Sequence, residues 1–238
     1  MIKKFLLKPG PDPDFPYLDE TIRFKFPDPI WWNNDIIYIG GNLSPGILLS
    51  AYEQGIFPWY NPGDPIIWQS PDPRCLIFPD KLHISSSMRK ILNHGTFRIT
   101  YDENFAGVIK RCAEAKRPNQ NGTWITDDII QAYTELHRLG WAHSAEAWYP
   151  AGPGQDGELV GGCYGILLGR AFCGESMFSN VSNASKAAFL SLAQMLFKHG
   201  IAFIDCQVPN NYLKSLGGEE MSRENFLELL KLYKIARF

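Results

Sequence analysis

Two apolar runs, residues 159–168 and 171–178, are separated only by Gly169 and Arg170. Each is long enough for a buried strand, and a two-residue connection suits a tight antiparallel hairpin. Such a hairpin has to be covered by the rest of the chain. Residues 185–199 then read as a helix stopped at Gly200, and residues 201–206 as another buried strand. A hairpin followed by a strand–helix–strand unit implies a mixed α/β (α+β) sheet. That pattern is compatible with acyltransferase sheets and with many others, so it does not give a function.

Upstream, residues 85–93 predict a short helix closed by Gly95, 97–101 a strand and 103–116 a helix. Thr126 is placed to cap a helix over 127–139 that stops at Gly140. Residues 222–236 predict the last helix. Near the start, Ser44 and Pro45 mark a helix whose apolar face is Ile47, Leu48, Ala51 and Tyr52, ended by Gly55. It lies between two stretches dense in proline. The first, up to about residue 34, reads as an extended arm packed by its rings. The second, 57–73, marks a boundary, giving a small N-terminal domain (1–72) and a main domain (73–238).

With 238 residues, 45% apolar, the chain can bury a substantial core without disulfides or metal. Its five cysteines (Cys75, Cys112, Cys163, Cys173, Cys206) are odd in number and form no C-x-x-C. This argues against a disulfide framework or zinc knuckle and for a reducing, cytoplasmic setting. Neither a signal peptide nor a membrane span is visible. Net charge is −2, yet residues 81–117 hold eight cations (Lys81, Arg89, Lys90, Arg98, Lys110, Arg111, Lys116, Arg117) against three anions. Such a patch could meet a phosphate backbone; a solvated face of two helices is the plainer reading.

Three polar residues follow apolar runs where a polar group has to be satisfied: Glu175 in the second hairpin strand, and Asp205 and Gln207 closing the next. They suggest a shared polar pocket, or equally two strand ends capping loops. The chain lacks a P-loop, a G-x-S-x-G elbow and an H-E-x-x-H. Cys173 and Cys206 sit beside the acids, where buried filler is a commoner role than nucleophile. Aminolysis of an already activated ester remains, because it needs positioning, a proton acceptor and oxyanion stabilisation but no covalent intermediate. Tyr52, Trp59, Trp124 and Tyr133 could stack a nucleotide base, although each alone more often packs a core. Phe189, Leu192 and Leu196 form an i, i+3, i+7 stripe, a core pattern that could also open into a pocket.

Several runs together resemble the leucyl/phenylalanyl-tRNA–protein transferase family. They are Gly40-Gly41-Asn42-Leu43-Ser44-Pro45, Tyr52 with Gly55-Ile56-Phe57-Pro58-Trp59, Gly63-Asp64-Pro65, Ser70-Pro71-Asp72-Pro73-Arg74 and Leu82-His83-Ile84-Ser85. They continue with Gly122-Thr123-Trp124-Ile125-Thr126, Ala142-His143-Ser144, residues 173–179, Asn183-Ala184-Ser185-Lys186, residues 204–208 and Ser215-Leu216-Gly217. The resemblance implies a GNAT-like catalytic domain behind a small N-terminal one. It also implies donors Leu-tRNA and Phe-tRNA (Met a further candidate), acceptor proteins beginning with Arg or Lys, and products fed to N-end rule degradation. No metal and no cofactor are implied, and a monomer is. Carried over residue by residue, Asp205 would be the base, oriented by Gln207, with Glu175 holding the amine or sharing the proton. Trp59 and Trp124 would flank the terminal adenosine, with Tyr52 and Tyr133 nearby. Cys163, Phe172, Phe189, Leu192, Leu196 and Ile204 would line the donor side-chain pocket, with Ser176, Met177 and Phe178 along the substrate. Lys81, Arg89, Lys90, Arg98, Lys110 and Arg111 would meet acceptor-stem phosphates.

This sequence departs from the family pattern at several places. Asn42 stands for the usual Asp, Gln69 for Trp, Tyr212 for His and Gly218 for Ala, and residues 149–155 make a longer connection. Two alternatives are a CoA-dependent N-acyltransferase and a non-catalytic tRNA-binding module. The first expects a glycine-rich pyrophosphate loop where this chain reads Val181-Ser182-Asn183-Ala184-Ser185-Lys186. The second leaves Glu175 and Asp205 without a task.

Overall fold

The computed structural model describes residues 8–115, 123–150 and 157–234. Lys116, Arg117, Gly122 and most of the 149–155 connection lie outside them. Among the described residues there are two sheets. The smaller is antiparallel, with β1 (Ile36–Ile39), β2 (Phe57–Pro58) and β3 (Ile67–Gln69) in the order β1-β3-β2. Helix α1 (Pro45–Glu53) joins β1 to β2. Pro45 opens it as expected, but the Ser44 hydroxyl does not cap it. That hydroxyl donates to Asn42 Oδ1 and accepts the Leu18 N–H, tying down the N-terminal arm. Asn42 in turn donates from Nδ2 to the Phe15 carbonyl at 2.9 Å. An aspartate there could not make that bond, because an ionised carboxylate only accepts.

The larger sheet has seven strands: β4 (Arg74–Ile77), β5 (Arg98–Tyr101), β6 (Ala142–Tyr149), β7 (Glu158–Leu168), β8 (Ala171–Ser179), β9 (Phe203–Asp205) and β10 (Glu219–Met221), in the order β10-β4-β9-β8-β7-β6-β5. β7 and β8 are the expected hairpin. β8, α5 (Ala184–Lys198) and β9 are the expected strand–helix–strand unit, with β8 and β9 parallel. The fold is therefore mixed α/β, as the sequence implies. Helices α2 (Ser86–Asn93), α4 (Asp127–Arg138) and α7 (Arg223–Tyr233) are capped by the hydroxyls of Ser85, Thr126 and Ser222. Helix α3 (Phe105–Glu114) follows β5, and the short α6 (Asn211–Ser215) follows β9.

Alternate residues of the large sheet enter different core clusters. Ala145, Cys163 and Phe172 pack with α5 and with Met88 of α2. Ala142, Tyr164 and Cys173 pack with Val108 and Ile109 of α3 and with Tyr133 of α4. The period of two puts α2 and α5 on one face and α3 and α4 on the other. The second core also takes in Ile47, Leu48 and Trp68, so the N-terminal sheet and the main sheet share one apolar interior. The start of α5 lies directly against β7, because Gly161 leaves room: a Cβ there would sit 2.6 Å from the Ala184 Cβ.

Candidate active site

Parallel pairing between β8 and β9 lasts only three residues, from Ala171↔Phe203 to Cys173↔Asp205. Beyond that, β8 runs on to Ser179, while β9 ends and the backbone turns at Gln207 with φ +63°. The strands separate, and side chains bridge the gap. Gln207 donates from Nε2 to Glu175 Oε1 at 2.9 Å. Tyr133 of α4 donates to Glu175 Oε2 at 3.4 Å, and the Tyr52 and Tyr133 hydroxyls are hydrogen-bonded to each other.

A cavity of about 220 Å³ opens beside Glu175. Its wall includes Cys163, Phe172, Glu175, Ser176, Met177, Phe189 and Cys206, closed by Asn210, Tyr212 and Leu213 around α6. Glu175 is half-buried, with its open side towards this space. Burial, reinforced by the nearby Asp205 charge, pushes its carboxyl up to about 7, against the downward pull of Tyr52, Arg74 and Tyr133. Tyr52 and Tyr133 are themselves pushed well above the ordinary phenol value by burial, so they stay neutral donors.

Asp205 sits differently. It is 0% exposed, and Arg74, 1% exposed, grips it in a two-pronged ion pair: Nε to Oδ1 at 2.8 Å and Nη2 to Oδ2 at 2.7 Å. Oδ1 also accepts the Gln207 N–H at 2.9 Å. The Arg74 guanidinium is clasped between the rings of Phe57 and Phe226, 4.9 and 4.5 Å from their centroids, and donates to the Gly55 carbonyl. Burial alone would lower Arg74. The Asp205 charge and hydrogen bonds more than reverse this, leaving it above its usual value.

Asp205, expected to take the proton, is placed differently from Glu175. Both its oxygens are committed, and it lines no part of the cavity. It anchors Arg74 and the Gln207 backbone instead. The four rings expected near a base are also placed differently from one another. Tyr52 and Tyr133 are 1% and 0% exposed and meet edge to face, so neither offers a surface to a base. Trp59 is 37% exposed, its carbonyl held by Gln69 Nε2, and Trp124 is half-buried against the core. Of the expected pocket residues, Cys163, Phe172, Phe189, Ser176 and Met177 reach the cavity. Leu192, Leu196 and Ile204 pack in the core behind it, and Phe178 belongs to the core of the opposite face.

The cationic run does not form one patch. Lys81 pairs with Glu219 at the β10 edge (3.2 Å). Arg98 lies on β5 at the other edge, near Glu103 and over the Trp148 ring. Arg89 and Lys90 belong to α2 on the cavity's face, and Lys110 and Arg111 to α3 on the opposite face. Sequence reasoning missed Arg74, although a cation heading the apolar strand Arg74-Cys75-Leu76-Ile77 demands a partner as much as Asp205 does. It also missed α6, whose Tyr212 and Leu213 close the cavity.

Residues 41–72 match the model of the leucyl/phenylalanyl-tRNA protein transferase N-terminal domain, and residues 76–231 match the leucyl/phenylalanyl-tRNA protein transferase model. A leucyl/phenylalanyl-tRNA–protein transferase of Flavobacterium johnsoniae is 55% identical over 196 residues, spanning 82% of this chain and 90% of its own. One from Hahella chejuensis is 48% identical over 227 residues, spanning 95% and 94%. One from Nitrosospira multiformis is 52% identical over 198 residues, spanning 83% and 82%. By matches that run through both parts of the fold and across the site between β8 and β9, the chain belongs to the leucyl/phenylalanyl-tRNA–protein transferase family.

Proposed function

We propose that this protein moves Leu or Phe, with Met as a third donor, from aminoacyl-tRNA to the N-terminal α-amine of proteins beginning with Arg or Lys. The observation that carries the chemistry is Glu175, a carboxyl tuned to about 7 at the mouth of a mostly apolar cavity. The donor side chain enters that cavity, placing its ester carbonyl near Glu175. The acceptor nitrogen attacks the carbonyl carbon, a C–N bond forms, and the bond to the terminal ribose oxygen breaks. Glu175 takes the ammonium proton and returns it to the leaving oxygen, a task suited to a group titrating near the working pH. Gln207, locked by Asp205 below and Glu175 above, fixes the acceptor carboxylate. The thiols are not needed as nucleophiles: burial raises Cys173 well above its usual value, and a hydrogen bond to Cys75 does so for Cys206.

Arg89 and Lys90 share the cavity's face, so they are the cations assigned to acceptor-stem phosphates, and exposed Trp59 is the ring assigned to the terminal adenosine. A cytoplasmic monomer whose products enter N-end rule degradation completes the reading. Among the described residues, no helix is long and apolar enough to cross a membrane.

The test is transfer of labelled Phe or Leu from charged tRNA to a peptide beginning with Arg, beside its N-acetylated twin. Transfer to the free amine alone is expected. Tight binding of charged tRNA without transfer would turn the reading to a binding module. Trp59→Ala should raise KM for charged tRNA by about 5- to 150-fold, from about 1–3 kcal/mol of lost stacking, with kcat nearly kept. An unchanged KM removes Trp59 from the donor site. Tyr133→Phe deletes a hydrogen bond that lowers Glu175, so the acid limb of the turnover–pH profile should move to higher pH. A limb that stays in place or moves down contradicts that role.

A further inference from the structure

Two of the five cysteines face each other across the strands that hold the Arg74–Asp205 pair. Cys75 follows Arg74 on β4, and Cys206 follows Asp205 at the end of β9. The antiparallel register Leu76↔Asp205 sets Cys75 opposite Cys206. The backbone confirms the juxtaposition: the Cys206 N–H donates to the Cys75 carbonyl at 2.8 Å, and the Cys75 N–H to the Gln207 carbonyl at 2.9 Å. These two bonds set Cys75 against Cys206 and Gln207 together, a bulge that leaves the Cys75 and Cys206 backbones directly bonded, close to the about 4.5–5.5 Å Cα spacing of an antiparallel pair, where a disulfide bridges roughly 4.4–6.8 Å.

Their exposure differs in a useful way. Cys75 is sealed in the interior, while Cys206 is half-buried and forms part of the cavity wall. A small molecule entering the cavity therefore meets Cys206 before Cys75, which lies behind it across the strand pair. Cys163 also reaches the cavity, but burial holds it firmly as a thiol and no second cysteine faces it across a strand pair. For the Cys75–Cys206 pair, the shared hydrogen bond lowers Cys75 and raises Cys206, so the first proton leaves the pair more easily and the second less.

We propose that Cys206 is an oxidation site for hydroperoxides, with Cys75 as its resolving thiol, and that the resulting Cys75–Cys206 disulfide reversibly stops transfer. In the first step the pair has lost one proton, Cys206 passes its own proton to the Cys75 sulfur, and the Cys206 sulfur attacks the peroxide. An S–O bond forms, the O–O bond breaks, and the departing alkoxide or hydroxide takes a proton. In the second step Cys75 sulfur attacks the sulfenic sulfur of Cys206. An S–S bond forms, the S–O bond breaks, and the hydroxide leaves as water with the Cys75 proton. The new bond ties the residue after Arg74 to the residue after Asp205 and draws a sulfur out of the cavity wall. It thereby disturbs both the donor pocket and the backbone that presents Gln207.

The loss of transfer rests on the transferase reading; the bond itself does not. The experiment treats the full-length reduced protein with diamide, which oxidises two thiols to a disulfide and is itself reduced to the hydrazine, and repeats the treatment with hydrogen peroxide. Peptides are mapped by mass spectrometry, and Phe transfer is measured alongside. The expected result is a Cys75–Cys206 cross-linked peptide, at least a tenfold fall in transfer, and recovery with dithiothreitol. Cys75→Ala should keep basal transfer and resist diamide. Absence of the cross-linked peptide when two free thiols have been lost overturns the proposal, even should Cys75→Ala fail to fold. So does reversible inactivation of Cys75→Ala to the wild-type extent. A reduced wild type that transfers nothing sinks the transferase reading instead, and the peptide map still decides the bond.

Discussion

Glu175→Gln should lower the rate of aminoacyl transfer by about 10²- to 10⁴-fold, the usual cost of losing a positioned proton acceptor, while binding of charged tRNA persists. The amide keeps the shape of the carboxylate and can still meet Gln207, so the defect should lie in turnover. Wild-type turnover should climb as pH rises through about 7, where Glu175 ionises. In the variant that limb should vanish, leaving only the ionisation of the acceptor amine near 7.7–8. The same substitution has a stability signature of opposite sign. The folded carboxyl titrates near 7 and an unfolded one near 4.5, so the native state keeps its proton longer. Its contribution to stability is fully present below pH 4.5 and is lost as pH rises through 7. Glu175→Gln should therefore melt at a higher temperature than wild type at pH 8 and at about the same temperature near pH 4.5. A variant that is no more stable at pH 8 would show that ionised Glu175 costs the fold nothing, and near-normal turnover would remove Glu175 as the proton acceptor.

Arg74→Met should be the most destabilising single change at the site, by about 3–5 kcal/mol, because it leaves the Asp205 carboxylate without its counter-ion in an interior that excludes water. Transfer should fall with it, since an Asp205 without Arg74 to fix it no longer holds the Gln207 backbone in one place. Pairing that change with Asp205→Leu separates the two effects. Removing both charges should restore most of the lost stability, because a buried ion pair is worth little against an apolar replacement. It should restore none of the activity, because the anchor for Gln207 is then absent. Urea denaturation and transfer assays on the two single variants and the double variant check this. A double variant as unstable as Arg74→Met would mean that the ring clasp around Arg74, rather than the stranded charge, dominates.

What could be read from residues alone follows from what local sequence encodes. The β7–β8 hairpin and the β8–α5–β9 unit were legible because their apolar runs and glycine stops are contiguous. Strand β6, between β7 and the edge strand β5, was not. His143, Ser144 and Glu146 interrupt its pattern, and Glu146 is tolerated at 0% exposure only because Thr100 and Ser144 donate to it. Ser144 is in the run, but Thr100 comes from the neighbouring strand β5 and cannot be inferred from it. Glu175, Asp205 and Gln207 were visible as polar ends of buried strands. Their division of labour was hidden, because it depends on Arg74, 131 positions from Asp205, and on two tyrosines whose burial turns them from stacking surfaces into hydroxyl donors. The cations fooled linear reading for a related reason: α2 and α3 are close in sequence but separated by the sheet.

The clasp around Arg74 also bears on how the protein is made. One ring comes from Phe57, near the start of the chain, and the other from Phe226, in the last described helix. During synthesis the N-terminal sheet, β4 and even the β7–β8 hairpin can emerge and begin to fold while Phe226 is still inside the ribosome. The counter-ion of Asp205 is then closed on one side only. Until Phe226 has left the ribosome, the clasp that holds the counter-ion of Asp205 is without its second wall, so the centre is completed late in synthesis.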